Sequence, residues 1–153
     1  MTRFLADAML GRLARWLRAI GCDTVQLPID APDSDLVERA RREDRILLTR
    51  DRHLLRELRP HRALQIRSDA PLEQLREVVA ACAIARPREL FTRCLVCNAP
   101  LLDVRLEDVA DRVPPGAREV PGRLRRCPIC DRVYWRGSHA RRMETALGTA
   151  FAE

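Results

Sequence analysis

Two C-x-x-C pairs constrain the fold of this chain more than any other feature of its sequence. The pairs are Cys94 with Cys97 and Cys127 with Cys130, and 29 residues separate the second cysteine from the third. Each pair predicts a tight turn that presents two thiolates, and two such turns supply the four corners of a tetrahedral metal site. The sequence therefore predicts a small module held together by one structural metal ion.

The composition limits what the rest of the chain can be. With 153 residues, of which 46% are hydrophobic, the chain can build one ordinary core beside the metal module but not two. No apolar run approaches the roughly 20 residues of a membrane span, and the N-terminus lacks the apolar stretch of a signal peptide. We therefore expect no membrane partner and a cytoplasmic location, where thiols stay reduced and favour metal binding over disulfides.

The basic residues have an unusual composition. All 28 of them are arginine, and the net charge is +6 with a pI near 9.5. A codon bias toward arginine accounts for the lack of lysine, but guanidinium groups also pair in bidentate fashion with phosphate oxygens. The balance of charge favours a polyanionic partner without identifying it. Two further cysteines, Cys22 and Cys82, belong to neither pair and are expected to pack as small apolar side chains.

Apolar patterning predicts an α/β fold in the first part of the chain. Short apolar runs that read as strands alternate with stretches of helical periodicity, which is typical of a parallel sheet flanked by helices. Along the first helix, Arg12, Arg15 and Arg18 are expected on a face away from the core. The predicted domains are 1–86 for the α/β part and 91–142 for the four-cysteine zinc ribbon with its basic tail. The predicted strands are residues 3–6, 24–27, 45–49 and 63–67.

Aspartates stand near the ends of all four predicted strands. Because the carboxyl ends of parallel strands share one edge of a sheet, several of these carboxylates are expected to converge on one cleft. Oxygen ligands of this kind suit Mg²⁺ or Mn²⁺, although an aspartate after a strand also commonly caps a helix. Asp7, Asp51 and Asp69 follow three of the strands, and a loop after the other contains Asp30, Asp33 and Asp35.

Three stretches of the sequence resemble a known family. Residues 4–18 (FLADAMLGRLARWLR) and 45–51 (RILLTRD) are similar to two signatures of the PIN-like ribonuclease family named after the C-terminal domain of the Mut-seven exonuclease. Residues 127–139 (CPICDRVYWRGSH) resemble a third signature. The resemblance covers nearly the whole chain. It implies a PIN-like α/β domain followed by a zinc ribbon, and a metal-dependent hydrolase whose substrate is RNA.

The resemblance also implies a role for each acid. Asp7 and Asp51 match the metal ligands that end the first and third strands of the family, so they are expected to hold Mg²⁺ or Mn²⁺ for catalysis. A further catalytic acid opens the intervening helix, where Asp33 aligns best and Asp35 is its rival. Asp69 stands where a fourth acid is often found.

Arginines near both predicted sites are candidates for substrate binding. Arg12 and Arg50 lie near the acidic cleft, where each either holds a substrate phosphate or pairs within the protein. Arg132 and Arg136 follow the second cysteine pair, with Tyr134 and Trp135 between them. Arginine beside aromatic residues suits single-stranded RNA, although these two rings also suit packing of the ribbon against the α/β domain.

The identity of the structural metal and the activity each have an alternative. Zinc is expected in the closed four-cysteine site, but the spacing also resembles rubredoxin, which binds iron. Rubredoxins usually carry glycine after each second cysteine, whereas this chain has Asn98 and Asp131, which favours zinc. The expected function is a metal-dependent ribonuclease. The alternative is a non-catalytic RNA-binding or adaptor protein that acts through the ribbon.

Overall fold

A four-stranded parallel sheet forms the centre of the structure, a computed structural model that describes residues 1–119 and 122–152. Phe4 of the first strand pairs in register with residues of two neighbouring strands. All pairings are parallel, so the four carboxyl ends lie along one edge. The strands are β1 (Phe4–Ala6), β2 (Thr24–Gln26), β3 (Ile46–Thr49) and β4 (Ala63–Gln65), in the order β2-β1-β3-β4.

Helices cover both faces of this sheet, which confirms the predicted α/β class. The helices are α1 (Gly11–Ala19), α2 (Asp33–Arg42), α3 (Arg52–Leu58), α4 (Pro71–Ala81), α5 (Leu106–Val109), α6 (Pro115–Arg118) and α7 (Ser138–Ala150). On one face, α1, α4 and α7 pack into the larger apolar core, and on the other α2 and α3 build a smaller one. Phe4, Leu5 and Ala6 are completely buried, because β1 lies inside the sheet with helices above and below it.

The C-terminal helix belongs to the larger core by its packing. Met143, Leu147 and Ala150 of α7 are buried there, and the helix runs against α4. The sequence predicts that the basic tail leads into a short last helix. In the structure most of this tail lies inside α7, which has 13 residues. Within residues 1–119 and 122–152, no helix is both long and apolar enough to cross a membrane.

The arginines of α1 do not share one exposed face as expected. Arg12 and Arg15 are exposed, but the Arg18 side chain is 6% exposed. Successive steps of three residues rotate around a helix by about 60°, because a turn takes 3.6 residues. Two such steps carry Arg18 off the exposed face and under the segment that contains the first cysteine pair.

The sequence predicts that Asp33 or Ser34 caps the start of α2, and the structure corrects this prediction. Asp33 is already the first residue of the helix, Pro32 holds the cap position and no side chain caps the backbone amides. Asp51 does act as a cap: its Oδ1 accepts hydrogen bonds from the amides of His53 (2.8 Å) and Leu54 (3.1 Å) at the start of α3.

The four cysteines lie in a separate small module. We call residues 91–135 the ribbon; positions 120 and 121, which fall inside it, lie outside the described residues. Its antiparallel sheet consists of β5 (Leu102–Val104), β6 (Leu124–Arg126) and β7 (Val133–Tyr134). Each cysteine pair forms a turn beside this sheet, and the amides of Cys94 and Cys127 close those turns on the carbonyls of Ala99 and Arg132.

The ribbon is docked on the amino-terminal edge of the parallel sheet by buried polar contacts. Arg18 donates from Nη1 to the carbonyls of Leu95 (2.9 Å) and Val96 (3.1 Å). Asn98 accepts from the amide of Thr24 (2.9 Å) and donates to Asp23 (2.7 Å). These side chains complete the hydrogen bonding of the buried edge, so the two parts of the protein depend on each other.

Replacing Asn98 by glycine is expected to lower the free energy of unfolding by about 1–3 kcal/mol, because the buried amide of Thr24 loses its acceptor. Asp131→Gly is the matched control. Asp131 has the same left-handed backbone in the second cysteine turn, but its side chain makes an exposed ion pair with Arg112. Chemical denaturation of both variants tests this; equal losses of stability would contradict the docking role of Asn98.

The two unpaired cysteines pack as expected. Cys22 is buried in the larger core, and Cys82 is half-buried against it. Burial raises the pKa of Cys22 to about 11, so its thiol stays protonated at neutral pH.

Candidate functional site

Asp7 and Asp51 are brought together by a shared neighbour at the carboxyl edge of the sheet. The amide of Asp7 donates to the carbonyl of Leu48 (2.9 Å), which extends the pairing of β1 and β3 by one residue. The hydroxyl of Thr49 then donates to Oδ2 of Asp7 (2.9 Å) and accepts from the amide of Asp51 (3.0 Å). One completely buried hydroxyl thus ties the carboxylate of the first aspartate to the backbone of the second.

The neighbouring strand β2 also holds this corner in place. Gln26, the last residue of β2, donates from Nε2 to the carbonyl of Asp7 (3.1 Å). Asp7 is half-buried and Asp51 is exposed. The two carboxylates therefore stand at the surface on a rigid base of three adjacent strands, where a ligand can reach them.

Asp33 and Asp35, the other predicted catalytic acids, do not form a compact cluster of carboxylates with Asp7 and Asp51. Asp33 and Asp35 are both exposed in the first turn of α2. Among the residues that the structure describes, the cysteines form the only set of three or more Cys, His, Asp or Glu residues whose ligand atoms lie within 4.8 Å of one another. The carboxylates at the sheet edge are thus more widely spaced than the cysteine thiols.

Asp69 pairs with an arginine. Its Oδ1 lies 2.6 Å from Nη2 of Arg50, and its side chain is 92% exposed. Arg50 also lines a cavity of about 400 Å³ with two further arginines, Arg52 and Arg67. The residues on either side of Asp51 in the chain thus line this cavity, which offers cations beside the acidic corner. Arg12 is exposed on the first turn of α1, the helix that follows Asp7 after one 3-10 turn.

The four paired cysteines form a compact group of thiols. The Sγ atoms of Cys94 and Cys130 lie 3.5 Å apart, those of Cys97 and Cys127 lie 3.3 Å apart, and all four lie within 4.8 Å of one another. Sulfur ligands in this number and proximity suit a tetrahedral ion, with no place for a substrate. The group can hold a metal such as zinc, as the spacing predicts.

The electrostatics of the thiols differ within the group. Burial disfavours the Cys94 thiolate, but hydrogen bonds from the Tyr134 hydroxyl (3.1 Å) and from backbone amides outweigh it and lower the pKa of Cys94 to about 6. Burial and the neighbouring thiols of Cys127 and Cys94 raise the pKa of Cys97 to about 12. Several thiols this close ionise together only when a cation compensates their charge.

The residues after each second cysteine affect the choice between zinc and iron. Asn98 and Asp131 have left-handed backbones with φ of 72° and 63°. Asparagine and aspartate tolerate this region better than other residues with side chains. Both turns therefore have the conformation that glycine would give them, and the lack of glycine does not by itself favour zinc.

A large groove separates the ribbon from α1 and α7. It has a volume of about 810 Å³, and its walls include Arg132, Arg136, Tyr134 and Trp135. Arg136 is held by an ion pair with Glu144 of α7 (3.1 Å). Tyr134 also packs against the larger core, as the alternative view of this residue expected, while Trp135 is half-buried in the wall of the groove.

Two residues of these sites were not predicted from the sequence as site residues. Thr49 lies two positions before Asp51 inside the second signature, and a hydroxyl at the end of a buried strand is the signal that could have indicated it. Arg15 lines the groove together with the ribbon. Its signal is only that it follows Arg12 by one helical turn.

Comparison with known proteins identifies one matching family. Residues 2–147 match the family described as the Mut7-C RNAse domain. No curated protein and no solved structure matches the chain. The match includes the parallel sheet, the four cysteines and most of α7, and it agrees with the resemblance of the three sequence signatures. This chain therefore belongs to the Mut7-C RNAse domain family.

Proposed function

We propose that the protein is a metal-dependent ribonuclease whose catalytic acids are Asp7 and Asp51. The observation that carries this proposal is their link through the Thr49 hydroxyl, which joins the carboxylate of Asp7 to the backbone of Asp51 at the ends of adjacent parallel strands. Oδ1 of Asp51 caps α3, which fixes the orientation of this second carboxylate. This edge is where ligands bind in open parallel sheets. RNA is the substrate class that membership of a ribonuclease family implies.

The donor set at this edge fits Mg²⁺ or Mn²⁺. Asp7 and Asp51 offer oxygen atoms, and Asp33 or Asp35 of α2 would supply a third carboxylate. When bound, such an ion activates water and offsets the negative charge of a phosphodiester group. The protein's own contribution is to hold the carboxylates in place, which Thr49 does for Asp7.

The arginines near the edge are assigned to the substrate. Arg50 and Arg12 would hold phosphate groups on either side of the acidic corner, since guanidinium groups match phosphate oxygens. Asp69 occupies Arg50 in the structure, and an exposed ion pair of this kind contributes little to stability. A substrate phosphate can therefore displace Asp69 from Arg50 at small cost.

The proposal is tested by incubating the protein with labelled single-stranded and structured RNA in Mg²⁺, Mn²⁺ or EDTA. Cleavage in either metal and none in EDTA is the expected result. A protein that binds these RNAs but cleaves none of them with either ion would overturn the assignment as a nuclease.

Thr49→Val is expected to slow cleavage by about 10- to 100-fold, as is typical when a group that orients a metal ligand is lost. The valine has a similar shape but leaves Asp7 without its hydrogen bond. Thr49→Ser keeps the hydroxyl and is expected to retain most of the activity. The readout is the rate together with the Mn²⁺ concentration for half-maximal rate, which a loss of stability alone would not raise.

We also propose zinc as the structural metal of the ribbon. The predicted domains, residues 1–86 and 91–142, stay a proposal in which the second boundary falls inside α7, and α7 packs with the larger core of the first domain. The closed set of four thiols, with Tyr134 and the backbone filling the space around Cys94, supports a structural role. The buried contacts of Arg18 and Asn98 indicate that this metal stabilises the contact with the parallel sheet as well as the ribbon.

A specific observation favours a second candidate function. The thiols are gathered within 4.8 Å, whereas the described acids form no such group, so the ribbon is the better assembled site. In this alternative the protein binds RNA through the ribbon as an adaptor without cleaving it. The assay above separates the two, because only the nuclease shows metal-dependent product.

A further inference from the structure

We propose that the groove between the ribbon, α1 and α7 binds single-stranded RNA and that α1 leads the strand from there to the acidic edge. The groove as an RNA site stands on its own observations. The second part, that the strand reaches Asp7, rests on the proposed nuclease function. The groove is at the contact between two parts of the protein, which is a common position for ligand sites.

The charge of the groove suits a polyanion. Six arginines and two glutamates line it. Both acids are already neutralised: Glu89 pairs with Arg123 and Arg125 (both 3.0 Å), and Glu144 pairs with Arg136. Among the described residues, Arg15 and Arg132 form no ion pair, so two guanidinium groups remain for phosphates.

The aromatic wall suits unpaired bases. Trp135 is half-buried and lies tightly against the backbone of Gly137, where an added Cβ would come within 2.8 Å of its Nε1. The Tyr134 hydroxyl contacts the Sγ of Cys94 (3.1 Å) and accepts from the amide of Leu95 (3.0 Å), so its ring is fixed to the first cysteine turn. Rigid rings beside arginines bind unpaired bases by stacking on their faces. The bases of a duplex already stack on one another, so their faces are not free for the rings.

Helix α1 connects the groove to the acidic edge. Arg15 lines the groove, and Arg12 is exposed one turn nearer to Asp7. The eight positions from Arg15 back to Asp7 span about 14 Å, at about 1.5 Å per residue of α1 and about 2 Å per residue of the 3-10 turn before it. At about 3.4 Å per stacked nucleotide, roughly four nucleotides cover this distance. An RNA that fills the groove therefore needs a single-stranded stretch longer than this to reach Asp7.

The test measures binding by fluorescence anisotropy of a labelled, unstructured 12-nucleotide RNA, in buffer without Mg²⁺ or Mn²⁺. We expect Trp135→Leu to weaken binding by about 10- to 100-fold, as for the loss of one stacked base. Trp135→Phe keeps a ring and is expected to recover most of the affinity. Arg132→Ala is expected to weaken binding and to lower the slope of log affinity against log salt by about 1.

Arg41→Ala is the matched control for charge. Arg41 is exposed on α2, which packs on the opposite face of the sheet, so its loss is expected to change the affinity less than about twofold. If Arg41→Ala weakened RNA binding as much as Arg132→Ala, the groove would not be the RNA site, because binding would then follow net charge alone. A blunt RNA duplex or a polyglutamate peptide that competes as well as single-stranded RNA would also overturn it.

The outcomes separate this inference from the nuclease assignment. Loss of RNA binding in Trp135→Leu but not in Trp135→Phe, with unchanged metal content, supports the groove whether or not the wild type cleaves RNA. Unchanged RNA binding by Trp135→Leu overturns the proposal that RNA binds in the groove, even if the wild type cleaves RNA. Where the wild type does cleave, a 12-nucleotide substrate and a 3-nucleotide one are compared; Trp135→Leu is expected to slow only the longer.

Discussion

Asp7→Asn is expected to reduce metal-dependent RNA cleavage by about 100- to 1000-fold or more, the usual cost of removing one group that acts directly on the charge of the reaction. The amide keeps the shape of the side chain and can still accept from Thr49, so the fold should persist. What is lost is the negative charge that holds a divalent ion. RNA binding, measured without Mg²⁺ or Mn²⁺, should be retained.

Asp44→Asn is the control for this substitution. Asp44 lies before β3 at the amino edge of the sheet, is exposed, and pairs with Arg62 (3.1 Å). The same loss of charge there should leave cleavage unchanged. Equal cleavage by wild type and Asp7→Asn would show that the acidic site is misplaced or that the activity comes from a contaminant.

Cys127→Ser is expected to release the bound metal and to lower the free energy of unfolding by at least about 3 kcal/mol, since structural zinc supplies roughly 10 kcal/mol to isolated modules. Cys127 is completely buried in the thiol group. Loosening the ribbon also removes the carbonyls of Leu95 and Val96 from buried Arg18, which keeps only its hydrogen bond to the carbonyl of Thr24. A buried charge that loses most of its partners is destabilising. The parallel sheet should therefore lose stability together with the ribbon.

Metal analysis and thermal unfolding check this expectation, with Cys82→Ser as the control. Cys82 is half-buried outside the thiol group, so that variant should keep one metal ion per chain and most of its stability. A colourless wild type with one zinc ion would support zinc, whereas a red protein would contain iron. Retention of the metal by Cys127→Ser would contradict a four-thiolate site.

The fold could be predicted from local sequence signals, because tertiary packing in the α/β part agrees with them. The apolar runs that become β1 and β3 are too short for helices and too uniform for an exposed strand, so they indicate buried parallel strands. The cysteine pairs fix two tight turns, because two ligands three residues apart require them. Pro71 begins α4 where its missing amide costs nothing.

Local signals were misleading where a second element packs on the first. The sequence predicts Arg18 on an exposed arginine face, but the ribbon covers this residue. Helical periodicity could not indicate this, because the contact joins residues 77 positions apart in the chain. Asn98 reads as a turn residue, and it is one, but its side chain also bonds to Asp23 and Thr24. The predicted cap of α2 is wrong for a local reason, since Pro32 already occupies the cap position.

The sequence by itself determined the α/β class, the four-thiol group, the family and the aspartates that follow the strands. These features depend on residue type and on spacing along the chain, because the period of a helix or strand and the geometry of a metal site each require particular spacings. Only the tertiary structure decided that Thr49 joins Asp7 to Asp51, that Asp69 pairs with Arg50, and that Arg15 and Arg132 line one groove. Those relations depend on how β1, β3, α1 and the ribbon pack, and packing is set by all of their buried contacts together.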